Sequence, residues 1–115
     1  MLGPLCSRPR GNLAVAQGDL DAALGHFQQS KRIREQLAAS DPSNATWQRD
    51  LSYSLTKLAQ LHAKLGRWTQ ALFFAEQSLA IDERLAAMDP TKVTRQKDVQ
   101  ISRRLVEWIQ KAMGD

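Results

Sequence analysis

The chain has 115 residues, of which 43% are hydrophobic and 24% charged, with a formal net charge of +4. That balance excludes a disordered or fibrous chain and fits one soluble domain with a modest core. A single cysteine, Cys6, excludes an intramolecular disulfide, and no stretch is apolar over the length of a signal-peptide core or a membrane span, so a reducing, cytoplasmic setting without a membrane partner is expected.

In chain order, Pro4 and Pro9 interrupt any early helix and make residues 1–9 an irregular segment, with a helical stub over 10–17 opening a domain that spans 10–115. Gly18 is placed to end the stub in a left-handed residue, and Asp19 offers an acceptor to the free N–H groups of a helix over 20–39. Asp41-Pro42 stops that helix, because proline disfavours the helical conformation of the residue before it. A second long helix follows over 44–64, ending before Gly66. A third covers 68–87, stopped by Asp89-Pro90, and a fourth covers 92–112. The intervening stretches are rich in Ala, Leu, Gln, Glu, Arg and Lys, which lose little on entering a helix. Leu51, Leu55, Leu58, His62 and Leu65 recur three or four apart, as do Trp68, Leu72, Ala75 and Leu79, so each helix has one apolar face.

An internal repeat sets the architecture. Ile33-Arg-Glu-Gln-Leu-Ala-Ala-Ser-Asp-Pro42 returns as Ile81-Asp-Glu-Arg-Leu-Ala-Ala-Met-Asp-Pro90, and Thr46-Trp-Gln-Arg-Asp-Leu51 as Thr94-Arg-Gln-Lys-Asp-Val99, both at a spacing of 48. The same spacing carries Gly18 to Gly66, Ala23-Leu24 to Ala71-Leu72, and Gln29-Ser30 to Gln77-Ser78. A helix pair cannot bury both of its apolar faces alone, so such units stack and share a core. The expected fold is all-α: antiparallel helical hairpins stacked as a short α-solenoid, about four long helices plus the stub. The interrupted first helix reads as a remnant of a longer array.

The helix pair, turn glycine and closing proline resemble the tetratricopeptide repeat (TPR) family over about residues 10 to 113. Leu58-Ala59 stands where that family has Leu-Gly, Gly66 in the turn, Trp68 at the following aromatic, and Ala71 at the small residue where the helices touch; Ala23 and Phe27 match the preceding unit. The family's unit is about 34 residues. Here Glu83 takes the place of its closing proline, so this is a long-helix variant. His62 replaces a tyrosine and Ala75 a later aromatic. The resemblance implies a scaffold or adaptor that binds a peptide or helix of another protein in the groove formed by the first helices of successive units. Tyr53, Thr56, Lys57 and Gln60 would line that groove, with Arg104, Leu105 and Trp108 beside them. Arg8 and Asn12 imitate one corner of a carboxylate clamp known in the family, but Lys57, Ile101 and Leu105 do not complete it, and no clamp is expected.

The last helix holds two registers. Its apolar residues Ile101, Leu105, Trp108 and Ala112 align with Leu51, Leu55, Leu58 and His62 at a spacing of 50, not 48. Two residues are roughly 200° of rotation, so with Val99, Val106 and Met113 the apolar arc covers about half the circumference. Deeper wedging of a terminal helix is the favoured reading, ahead of spare apolar surface for a partner.

No catalytic constellation is present in the sequence. His26 and His62 stand alone, without a second ligand at metal spacing, a paired carboxylate or a nucleophile. No enzyme activity, metal or cofactor is expected. Two further kinds of partner remain as expectations. Lys92, Arg95, Lys97, Arg103, Arg104 and Lys111, with Lys31, Arg32 and Arg34, could offer a basic face to nucleic acid, diluted by Asp89, Asp98 and Glu107. An exposed N-terminal edge of Leu13, Val15, Leu20, Leu24 and Phe27 would invite self-association.

Overall fold

Among the described residues four helices follow one another: α1 (Asn12–Ser40), α2 (Ala45–Lys64), α3 (Trp68–Met88) and α4 (Val93–Gly114). The computed structural model describes residues 12–114, with side chains from residue 18 onward. The segment over 1–9, Arg8 within it, and the side chains of Asn12, Leu13 and Val15 lie outside the described residues.

The stops after α1, α2 and α3 are chemical. Gly66, at φ +77°, follows α2. Its N–H donates to the Ala63 carbonyl at 3.0 Å and the Arg67 N–H donates to the His62 carbonyl at 2.8 Å, the two bonds of a Schellman ending. At the start of α2, Asn44 Oδ1 accepts from the Trp47 N–H at 3.0 Å and so satisfies one of the helix's free donors. Asp89 Oδ1 accepts from the Thr91 N–H and hydroxyl in the turn before α4.

Gly18 departs from the expected pattern. α1 runs through it without a break, so the expected turn at Gly18-Asp19 is absent and the stub and the helix over 20–39 are one element of 29 residues. A mid-helix glycine costs only about 1 kcal/mol relative to alanine. At Gly66 the reversal is repaid because it lays α3 against α2 and buries Leu58, Ala59, Ala71 and Ala75. At Gly18 the chain stays helical, and local helix propensity prevails.

Each helix packs on its neighbours in the chain, α1 on α2, α2 on α3 and α3 on α4. The result measures 55 × 35 × 23 Å with a radius of gyration of 16.7 Å, against about 13 Å for a compact domain of this length. That elongated all-α arrangement is compatible with a short helical solenoid. Among the described residues three apolar clusters form the core. Leu24, Leu58 and Leu61 join α1 to α2. Leu55, Ile81 and Leu85 join one end of α2 to α3. Ala59, Ala63, Ala71, Ala75, Val106 and Ile109 join α2, α3 and α4. Phe74 packs against all three and stacks on His62 at 5.4 Å between centroids. The aromatic missing at position 75 is thus supplied one residue earlier.

Two expectations about exposed surface change. Leu24 is buried and Leu20 and Phe27 are half-buried against Leu58 and Leu61, so they belong to the α1–α2 seam rather than to an open edge; the exposed large apolar residues of α1 are Ile33 and Leu37. In α4 the buried residues are Val99, Ser102, Val106 and Ile109. These are the repeat counterparts of Leu51, Ser54, Leu58 and Leu61, so burial keeps the repeat spacing. The set spaced by 50 is not wedged into the core. Ile101 and Trp108 are more than half exposed and Leu105 is half-buried. The broad apolar arc is divided between core and surface.

Candidate interaction groove

Between α2 and α4 opens a cavity of about 380 Å³. Arg49, Asp50, Ser52, Tyr53, Thr56 and Lys57 line it from α2, Asp98, Ile101 and Ser102 from α4, and Asp82 from α3. Tyr53 and Ile101 are repeat counterparts, and both are large, apolar and more than half exposed.

The polar part of the lining is a connected network. Ser52 Oγ donates to Asp82 Oδ1 at 2.6 Å, and the Ser102 hydroxyl donates to Oδ2. Ser78 Oγ lies 2.9 Å from Ser52 Oγ and 3.2 Å from the Ser52 carbonyl, which accepts from it, and Thr56 Oγ1 lies 2.7 Å from Ser78 Oγ. The hydroxyls of Thr56, Ser78, Ser52 and Ser102 are thus in contact around Asp82, and bonds in such a network reinforce one another. Serine gains little in a helix interior, where its hydroxyl competes for backbone groups. Here the buried hydroxyls serve a carboxylate.

Asp82 is only 4% exposed and has no ion-pair partner among the described residues. Burial raises its pKa, opposed by the hydrogen bonds from Ser102 and Ser52; Asp98 pushes it further up, and Arg49 acts weakly against that. Above it, Arg49 Nε donates to Asp98 Oδ2 at 2.9 Å and ties α2 to α4 across the rim. That hydrogen bond, followed by the charge of Asp98, raises the pKa of Arg49. On the α1 side, Arg34 Nη1 donates to Ser54 Oγ at 2.6 Å and to the Asp50 carbonyl at 3.1 Å. Its guanidinium lies 5.9 Å from the Tyr53 ring, and Lys57 Nζ lies 5.4 Å from the same ring. Cations within about 6 Å of an aromatic centroid are attracted to it.

The cavity unites part of the expected site. Tyr53, Thr56 and Lys57 line it. Gln60 sits half-buried beyond it on α2, and Arg104 is exposed beyond it on α4. Leu105 packs against the alanine-rich cluster, and Trp108 meets Trp68 edge-to-face at 5.4 Å. Those four extend the surface without entering the cavity. The residues that sequence reasoning missed are Arg49, Asp50, Ser52, Asp82, Asp98, Ile101 and Ser102. A usable signal was present: Ser54/Ser102, Ser30/Ser78 and Asp50/Asp98 all recur at the repeat spacing, and a small polar residue repeated on an apolar helix face calls for a partner inside.

The basic residues are partly engaged in packing. Arg95 Nη1 donates to the Leu85 carbonyl and Arg103 pairs with Glu83, both on α3. Among the described residues no group of three His, Cys, Asp or Glu is arranged to hold a metal ion, and no helix is long and apolar enough to cross a membrane. The arrangement places the Asp82 carboxylate at the base of an open groove lined mostly by polar residues, with Tyr53 and Ile101 also in its lining. The chain matches no protein-family model, no curated protein and no solved structure.

Proposed function

We propose that the chain is a protein-interaction module of the tetratricopeptide type, with antiparallel hairpins stacked as a short α-solenoid and a partner segment held between α2 and α4. One observation carries this reading: the cavity lies between the two helices that the internal repeat makes first helices of successive units, flanked by the exposed counterparts Tyr53 and Ile101. Exposed aromatic and aliphatic anchors beside buried polar groups are what a peptide-binding groove needs. Gln60, Arg104, Leu105 and Trp108 would extend the contact along the same two helices. The test is selection of binders from a random dodecapeptide library, followed by amide chemical-shift mapping. Tyr53, Thr56, Lys57 and Ile101 should move, and Tyr53→Ala or Ile101→Ala should weaken binding without shifting the unfolding midpoint. Shifts confined to α1 or the outer face of α3 would sink the assignment.

A second reading has its own observation. Ile33 and Leu37 are exposed, whereas their counterparts Ile81 and Leu85 are covered by α2. By analogy with α2 on α3, the face of α1 that carries Ile33 and Leu37 would receive the first helix of its own unit or a second copy of the chain. Light scattering that stays monomeric up to high concentration removes the second copy.

A further inference from the structure

Asp82 has a buried carboxylate at the base of an open cavity, with a hydroxyl on each of its two oxygens and no ion pair among the described residues. A carboxylate offers about four acceptor positions, two on each oxygen. Ser52 takes one on Oδ1 and Ser102 one on Oδ2, so one remains on each oxygen. A matched pair of free acceptors fits the parallel N–H groups of a guanidinium, which recognises carboxylates in two-point fashion. The basic side chains lining the cavity are occupied: Arg49 is held by Asp98, and Lys57 lies by the Tyr53 ring. The lining carries three carboxylates (Asp50, Asp82, Asp98) against two cations (Arg49, Lys57), in a chain whose net charge is +4. The groove is therefore locally acidic on a basic protein. Tyr53 and Ile101 line the same cavity and give a long side chain apolar walls for its methylene stem, while its charged head reaches the carboxylate.

We infer that Asp82 is the anchor of a binding site for an arginine side chain of the partner polypeptide, seated between Tyr53 and Ile101. This rests on the reading of the α2–α4 groove as the interaction surface, and adds the chemistry it selects. The ring of Ser52, Ser78, Thr56 and Ser102 hydroxyls holds the carboxylate in place before the ligand arrives, so little is lost in ordering it.

The test uses the whole chain and two kinds of probe. In the first, N-acetyl-arginine amide, N-acetyl-lysine amide and N-acetyl-citrulline amide are titrated while the amides of Ser52, Asp82 and Ser102 are followed by NMR. Saturable shifts for arginine, weaker ones for lysine and none for citrulline are expected, and the uncharged citrulline makes the comparison without altering the protein. In the second, dodecapeptides selected on the wild-type chain should share an arginine. Their affinity should fall roughly thirtyfold or more with Asp82→Asn, the scale of truncating one side of a buried charge pair. Peptides that map to the groove but lack arginine, bind Asp82→Asn equally well, or prefer lysine overturn the arginine anchor and leave the groove standing. If no selected peptide shifts the groove amides, the interaction surface itself fails and the anchor with it.

Discussion

The repeat places one leucine twice in the same helix position, buried once and exposed once. Leu85 is 3% exposed beneath α2, whereas Leu37, its counterpart one repeat earlier, is 40% exposed on α1. Leu→Ala is close to neutral for helix propensity, so truncation reports packing rather than helix formation. At Leu85, surrounded by Leu55 and Ile81, truncation loses transfer free energy and leaves a cavity, together about 2–5 kcal/mol. At Leu37 most of the exposed area stays in water either way, and the cost should stay below about 1 kcal/mol. Both variants are read by urea unfolding of dilute protein with linear extrapolation, the slope being checked for constancy. In thermal melts the Leu85→Ala drop should exceed about 6 °C and the Leu37→Ala drop should stay within about 4 °C. Equal losses in dilute solution would refute the repeat-based account of why α1 is left uncovered. A Leu37→Ala cost that grows with protein concentration would show that a second copy covers that face.

The glycines make a second matched pair. Gly66→Ala should cost about 1–2 kcal/mol, because Gly66 holds φ +77°, whereas Gly18→Ala, within α1 and with open space around the added Cβ, should stabilise by about 0.5–1 kcal/mol; thermal melts of the two variants moving in the same direction would contradict the continuous α1. His62 is buried with neither ring nitrogen hydrogen-bonded, and burial, followed by the charge of Arg67, lowers its pKa below the usual 6.5. The unfolded chain therefore takes up a proton first as pH falls, so stability present above pH 6.5 is lost on the way down to the folded-state pKa. His62→Leu should remove this loss, seen as a smaller difference between urea midpoints at pH 7.5 and pH 5. Asp82 behaves oppositely: its raised pKa means that stability present below the ordinary 3.8 is lost as pH rises through the folded-state value. Asp82→Asn should thus gain stability relative to wild type at neutral pH and lose that gain in acid; an unchanged difference across the range would show that the carboxylate bears no burial cost.

Periodicity and punctuation made the four helices legible, because glycine, proline and capping side chains act locally and leave the same mark wherever they occur. Gly18 was misread for a related reason. A turn signal states what the backbone can do, and whether the chain turns depends on the surface buried by turning, which a local residue pattern does not specify. The groove was half legible. Tyr53, Thr56 and Lys57 follow from the position of α2 in its unit, but Asp82 lies on a second helix of the unit and reaches the groove only because small residues above it leave room. Ser52, Ser78 and Ser102 were visible in the sequence as polar interruptions of apolar faces. Their common target was not, since it joins residues 20 to 30 positions apart on three helices.

The repeat also shows where its two units have diverged. Arg34 and Asp82 are repeat counterparts, and each bonds the equivalent serine of the next helix, Ser54 for Arg34 and Ser102 for Asp82. One junction therefore carries a cation and the other an anion at the same place in the fold. The two bonds run in opposite directions, Arg34 donating to Ser54 and Asp82 accepting from Ser102, and each buried or half-buried charge carries a desolvation cost. Arg34 offsets its own by also bonding the Asp50 carbonyl and lying near the Tyr53 ring. Asp82 has the two hydroxyls and no ion pair, with Arg49 acting on it only from the rim. α4 diverges in a complementary way. Arg103 and Glu107 occupy the positions at which α2 has Leu55 and Ala59, and both are exposed, so a further helix laid on that side would meet charge in place of an apolar seam. Of the apolar residues that α4 exposes, Val93 and Met113 stand near its two ends, while Ile101 lines the cavity with Tyr53 and Trp108 packs edge-to-face on Trp68. Exposed Tyr53 and Ile101 facing one cavity, with charge at Arg103 and Glu107 on the other side of α4, is the distribution that the proposed reading of the groove calls for.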